Sequence, residues 1–464
     1  MKVGVVNQSF MLSSLRLDGN FHLSDGLVVR AHINKSPYGI KNIGDVTSRV
    51  YCPGIFKRNY TKTGIPFLGG SDIQKNYYNC GKYLRKSTTP NHSTLSIPKG
   101  CTLVTCGGTI GLTVFANEVM SKCFASQHVM RVIPSTVKGG LLYAYLASKH
   151  GYALLTTNTY GTVIPTLNAG NIESLPIPCF TSSFENEVDK LIQDSANLRV
   201  EAYSLIEQAE SLLRENASLD VLTEEDYNYF GPRKADRAVS CFVRNIKELG
   251  TLSFHAFNYS ERTEQFKKKL KCHTVPISEV IENGDFFSTG SFPRVEVNQE
   301  HGIMLINQSD IFDTIIKGKH ISKRGVKTDN LVEYGEVMIA GVGTLGEGES
   351  FCRTIFANED LVGQLVSGEF IRMKSNGRVP SGYLYTWLNS EYGFRLIRFT
   401  QSGTKLCRPI QKLLLQQPIP ILDQDVMNRI DNIVKEAHSK RHEANMLELR
   451  AVQMVEQEIE KWNK

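Results

Sequence analysis

The chain has 464 residues, enough for two or three domains with their own cores, and its 41% apolar and 22% charged residues are ordinary for a globular protein. No apolar run is long enough for a membrane-spanning helix, and the opening MKVGVVNQSF makes a poor secretion signal, so a cytoplasmic protein with no membrane partner is expected. The net charge of +6 is unevenly spread. Residues 1–181 hold 18 Lys and Arg against 6 Asp and Glu, residues 182–230 hold 3 against 12, residues 231–422 hold 25 against 20, and residues 423–464 hold 7 against 9. Positive charge gathered in the first and third segments favours a polyanionic partner there.

In chain order, "LRLDGNFH" at 15–22 leads into a basic first segment. "FKRNYTKTG" and "QKNYYN" follow, in which aromatic rings alternate with hydrogen-bond donors. "CTLVTC" and "QHVMRVIP" are short, β-branched and punctuated by Gly and Pro, so they read as strands. Between them stands "CGGTIG", Cys106 to Gly111. It lacks the Lys of a phosphate loop and runs on into strand-like sequence, so it reads as a tight turn in which Gly supplies positive φ. "GGLLYAYLASKHGYALL" has helical apolar spacing. After "LPIPCF", a Pro-rich strand end, the positions Val188, Leu191, Ser195, Leu198, Ala202, Leu205, Ala209 and Leu212 form a heptad seam uninterrupted by Gly or Pro.

The second half repeats the first. Ser71-Asp72-Ile73 returns as Ser309-Asp310-Ile311, and Gly108 to Gly111 as Gly343 to Gly346 in "GVGTLG". "LASKHGYALL" returns as "LNSEYGFRLI", Gly161-Thr162 as Gly403-Thr404, and "PIP" at 176–178 as "PIP" at 418–420, the last three at a constant offset of 242. "EVMIAGVG" and "GEFIRM" read as strands and "SGYLYTWLNSEYGFRLI" as helical. A second seam runs through Val426, Ile430, Ile433, Ala437, Lys440, Ala444, Leu447, Ala451 and Met454, broken at Lys440. A helix of this kind spans about 55 Å. The cheapest partner for each seam is the other, in a parallel or antiparallel pair.

Catalytic signatures are missing. There is no GxxxxGK[ST], GxSxG or HExxH, and no Asn/Asp-Pro-Pro-aromatic tetrad such as grips a flipped base; GVGTLG at 341–346 has GxGxxG spacing but runs on into β-like rather than helical sequence, so it does not make a cofactor fingerprint. The ten Cys form no CxxC pair, so zinc-ligand spacing is absent and buried, reduced thiols are expected. His128 in "SQHVMR" stands out among dispersed histidines but reads as readily as a structural residue.

This order of motifs resembles the specificity (S) subunits of Type I restriction-modification systems over almost the whole chain. The residues that carry it are the GTIG and GTLG turns, "FASQHVMRVIP", the "LLYAYLAS" and "YLYTWLNS" helices, the two Gly-Thr turns and the "LPIP" and "QPIP" strand ends. The second copy departs from the first: it has "FHAFNYS" for "LDGNFHLS", and "GQLVSGEFIRM" without the Ser-Gln-His. The resemblance implies an α+β fold: two mixed α/β target-recognition domains (1–181 and 231–422), related by the repeat and separated by two long coiled-coil-like helices (182–230 with its linker, and 423–464). It implies a DNA-binding subunit without catalytic residues or a cofactor of its own. Each domain would read half of a split target in double-stranded DNA. Two modification methyltransferase subunits would bind S-adenosylmethionine and do the chemistry, and a translocase-nuclease restriction subunit can join them in phage defence.

Phosphate contacts need Lys, Arg and amides, and base contacts need Arg, Asn and Gln. The candidates in the first domain are Lys57, Arg58, Asn59, Tyr60, Lys62, Gln74, Lys75, Asn76, Tyr77, Asn158 and Tyr160. In the second they are Lys317, Lys319, Lys323, Arg324, Gln401, Lys405 and Arg408. Two alternatives remain open: a DNA-acting enzyme with an unrecognised nuclease site, and a scaffold that binds partners through its helices.

Overall fold

A computed structural model describes residues 5–6, 8, 11, 19–61, 63–75, 82–157, 166–222, 242–249, 252–346 and 348–463. The chain divides into two compact units, one of residues 1–200 and 443–464 and the other of residues 201–442. Both mix short strands with helices, as the α+β expectation requires.

In the first unit, α1 (Asp25–Ile33) precedes ten strands: β1 (Ile40–Asn42), β2 (Thr47–Tyr51), β3 (Tyr60–Thr61), β4 (Ile65–Leu68), β5 (Tyr83–Leu84), β6 (Thr102–Thr105), β7 (Thr113–Phe115), β8 (Phe124–Ala125), β9 (Val129–Pro134) and β10 (Pro176–Pro178). They form sheets in the orders β2-β9-β6-β7, β3-β5-β4-β8 and β1-β10. The pairs are antiparallel except β4 with β8, where Phe67 faces Phe124 and Leu68 faces Ala125. α2 (Gly139–Ala147) packs on the β2-β9-β6-β7 sheet, and α3 (Lys149–Thr157) packs on α1 and α2, before α4 (Ser182–Asn216) begins.

The second unit repeats this plan. Its strands are β11 (Thr274–Pro276), β12 (Gly302–Ile306), β13 (Lys319–Ser322), β14 (Val337–Ala340), β15 (Thr354–Phe356), β16 (Leu365–Val366), β17 (Phe370–Met373), β18 (Gln401–Ser402), β19 (Arg408–Pro409) and β20 (Pro418–Pro420). The orders β15-β14-β17, β13-β12-β16 and β11-β20 match those of the first unit, and β12 pairs with β16 in parallel as β4 does with β8. Two isolated bridges, Phe287 with Arg372 and Ile281 with Ser375, stand where β2 pairs with β9. α5 (Ser381–Asn389), α6 (Glu391–Phe399) and α7 (Gln424–Lys461) complete the chain.

Each helical run expected as one element is two helices, broken at Ser148 and at Ser390. The serine hydroxyl accepts the amide of Gly151 at 3.2 Å or of Gly393 at 3.1 Å, capping the new helix. The side chain three residues before each serine then closes the unit. Tyr145 donates its hydroxyl to the Pro176 carbonyl at 2.5 Å, and Trp387 donates its indole N–H to the Pro418 carbonyl at 2.9 Å. Each anchor is thus a different residue performing the same bond on the repeated Pro-Ile-Pro strand. The helix pair is also tied to a long helix in both units: Gly140 donates its amide to Asp189 Oδ1 and Gly382 to Asp431 Oδ1, both at 2.7 Å.

The two long helices form as the seams predict, each contributing one segment to each unit. In the first unit they run antiparallel, with Glu187 near Arg450 and the Ser195 hydroxyl on the Ala444 carbonyl at 2.8 Å. The buried register is broader than the expected seam. Val188, Ile192, Ser195, Ala202, Ala209 and Leu213 are buried, whereas Leu191, Leu198, Leu205 and Leu212 are only half-buried. These helices pack on the globular core as well as on each other, so the apolar face is wider than a two-stranded seam. Lys440, which breaks the second seam, ion-pairs with Glu201 at 2.8 Å.

Candidate nucleic-acid interface

The glycine turns are structural. Gly108 and Gly111 have φ of +78° and +82°, where a side chain would be strained. Their amides and neighbours are spent on the protein: Gly111 N–H donates to the Thr105 carbonyl, Leu112 N–H to the Thr105 hydroxyl, and Leu167 N–H to the Cys106 carbonyl. In the second unit Gly343 and Cys407 exchange two backbone bonds at 3.2 and 2.8 Å. At Gly341 a Cβ would lie 2.5 Å from the Glu369 carbonyl. Both turns connect strands, so neither presents a helix N-terminus to a phosphate. The described cysteines are all free thiols; Cys106 and Cys52 lie 3.3 Å apart, sulfur to sulfur.

The turn opens beside a loop held in the same way in both units. Ser126 donates its amide to the Leu68 carbonyl and Ser367 to the Ile306 carbonyl, both at 2.9 Å. Cys106 N–H then reaches the His128 carbonyl, and Gly341 N–H the Glu369 carbonyl. A fully buried arginine follows in each unit. Arg131 donates to four carbonyls, those of Leu95, Ala125, Ser126 and Val129, at 2.6–3.1 Å. Burial lowers its affinity for the proton. Arg372 instead forms a bidentate pair with buried Glu336, both bonds at 2.9 Å, and donates to the Asn330 and Leu331 carbonyls. The sequence reading missed both arginines as organisers of the loop. The available signal was a charged residue at the same place in two otherwise apolar strands, VMRVIP and FIRM.

Of the first-domain candidates, Lys57, Asn59 and Tyr60 are exposed, and Arg58, Gln74 and Lys75 are half-buried. Arg58 donates to Gln127 Oε1 at 2.6 Å and lies over the Phe67 ring at 5.2 Å. Lys62, Asn76, Tyr77, Asn158 and Tyr160 lie outside the described residues. In the second unit Lys317, Lys319, Lys323 and Arg324 are all exposed, on β13 and the turns that flank it. Lys319 pairs with exposed Glu296, a contact water largely screens and a phosphate can replace. Lys405 and Arg408 are exposed on the β18–β19 hairpin. Gln401 differs from the expectation: it is 3% exposed, because β18 turns its side chain into the core, so it is not presented to a ligand. Among the described residues no group of His, Cys, Asp and Glu could hold a metal, and no helix is long and apolar enough to cross a membrane.

Residues 36–179 match the family model of the Type I restriction modification DNA specificity domain. Among solved structures, the chain is similar to the S subunit of the Type I restriction-modification system from M. genitalium (16% identity, 92% of this chain and 96% of that one, TM-score 0.31). It is also similar to the HsdS subunit from Thermoanaerobacter tengcongensis (11% identity, 92% and 98%, TM-score 0.27). No curated protein matches. Residues 36–179 are thus similar to the specificity-domain family that the chain's motifs resemble.

Proposed function

We propose that this chain is a DNA-recognition subunit that reads a split target in double-stranded DNA, one half with each sheet-rich unit, and directs partner methyltransferase subunits to it. The observation that carries this reading is the recurrence, in residues 201–442, of the strand order found in the segment that matches the specificity-domain family. The exposed cations Lys57, Lys317, Lys319, Lys323, Arg324, Lys405 and Arg408 then serve as phosphate contacts, and Asn59 and Tyr60 meet bases or sugars. Lys62, Gln74, Lys75, Asn76, Tyr77, Asn158 and Tyr160 belong to the same proposed surface. The long helices set the unread spacer and offer docking faces to two modification subunits, which would bind S-adenosylmethionine; a restriction subunit can join that assembly.

Salt dependence tests the contacts. Lys323→Ala and Arg324→Ala should each weaken DNA binding and reduce the slope of log affinity against log salt by about one per lost phosphate contact. An unchanged slope in both variants removes the β13 turn from the interface.

A further inference from the structure

The matched loops after β8 and β16 carry opposite hydrogen-bonding chemistry. In the first unit a relay runs through four residues. A Cβ on Gly107 would lie 2.7 Å from His128 Nδ1, so a side chain there would displace the imidazole from this position. His128 Nε2 lies 3.2 Å from Gln127 Nε2, and Gln127 Oε1 accepts from Arg58 at 2.6 Å. The glutamine amide is thereby pinned at both ends and fixes the guanidinium. One Arg58 N–H is used; the others have no protein acceptor among the described residues. In the second unit the corresponding positions are Gly368 and Glu369, both exposed. The Glu369 carboxylate makes no hydrogen bond or ion pair among the described residues. The parallel strands β12 and β16 end at this edge, where β13 begins with Lys319.

A half-buried guanidinium with unused N–H groups suits the O6 and N7 acceptors of guanine. A carboxylate on a surface that meets phosphates is repelled by them, and the base edge that rewards it is the N4 amino group of cytosine. We propose that these two loops read bases: Arg58, positioned by Gln127, His128 and Gly107, takes a guanine in one half-site, and Glu369 takes a cytosine in the other. This inference rests on the DNA-recognition reading above and adds the residues that make the two half-sites differ.

The test selects binding sequences from duplexes randomised in both half-sites, using the full chain assembled with its methyltransferase partner. Arg58→Gln and Arg58→Lys should each lose preference for guanine at one position of one half-site by about ten- to a hundredfold, leaving the other half unchanged. Lys keeps the charge and loses the fork, so a charge effect alone would spare it. Gly107→Ala should weaken the same position and no other. Glu369→Gln should abolish a cytosine preference in the other half. Thermal melting of each variant confirms folding. Unchanged preferences at every position, or equal loss in both halves by folded variants, overturn the proposal. If the parent chain itself selects no sequence, the DNA-recognition reading fails instead.

Discussion

Gly151 and Gly393 show how little room the repeated helix break leaves. A Cβ at either would lie about 2 Å from backbone, 2.2 Å from the Tyr145 carbonyl and 2.1 Å from the Trp387 carbonyl. Neither carbonyl is the end of a flexible side chain, so Gly151→Ala and Gly393→Ala should each destabilise by about 1–3 kcal/mol or more in urea unfolding. Arg372 makes a second prediction. Arg372→Met leaves Glu336 buried and unpaired and should cost about 3–5 kcal/mol, whereas Arg372→Met with Glu336→Leu should recover most of it. A double variant as unstable as the single one would show that the arginine's bonds to the Asn330 and Leu331 carbonyls dominate. At this scale the sequence displayed the exposed cations well, since Lys and Arg in Gly-rich turns reach solvent whatever the fold. It could not display Gln401 as buried, because a two-residue strand gives no alternation from which to read the inward face.

The long helices were legible from spacing and from the Pro-rich strands before them, because a seam of some four heptads is a signal no loop imitates. Their register was not legible in full, since the second apolar surface they bury against lies far away in sequence. Their packing also leaves a titratable mark. Burial, reinforced by Glu391, pushes the Glu210 carboxyl up to about 7. The folded chain then holds a proton that the unfolded chain has released above about 4.5, so stability falls as pH rises from there to 7, by on the order of 1–3 kcal/mol. Glu210→Gln should melt higher than the parent at pH 8 and match it near pH 4.5. His438, buried and held well below its ordinary value, contributes the opposite slope below 6.5 in both proteins and cancels in the difference. A constant difference in melting temperature across that range would contradict the assignment to Glu210.

For the whole molecule, the repeat was the most readable feature. Short motifs survive where the backbone demands them: the serine that caps a helix, the glycine pressed on a carbonyl, the Pro-Ile-Pro strand that receives an indole or a phenol. Between those points the two units diverge, and the proposed reading puts the target-facing loops there, where the chemistry would follow the partner rather than the fold. On that proposal, two such units in one chain suit a target of two unlike halves. The most direct test is to map base modification across the host genome by long-read sequencing, with this gene intact and deleted. The expected result is loss of methylation at one bipartite, asymmetric motif on deletion. If every methylated motif persists while the partner methyltransferase is expressed, the chain does not direct that methylation.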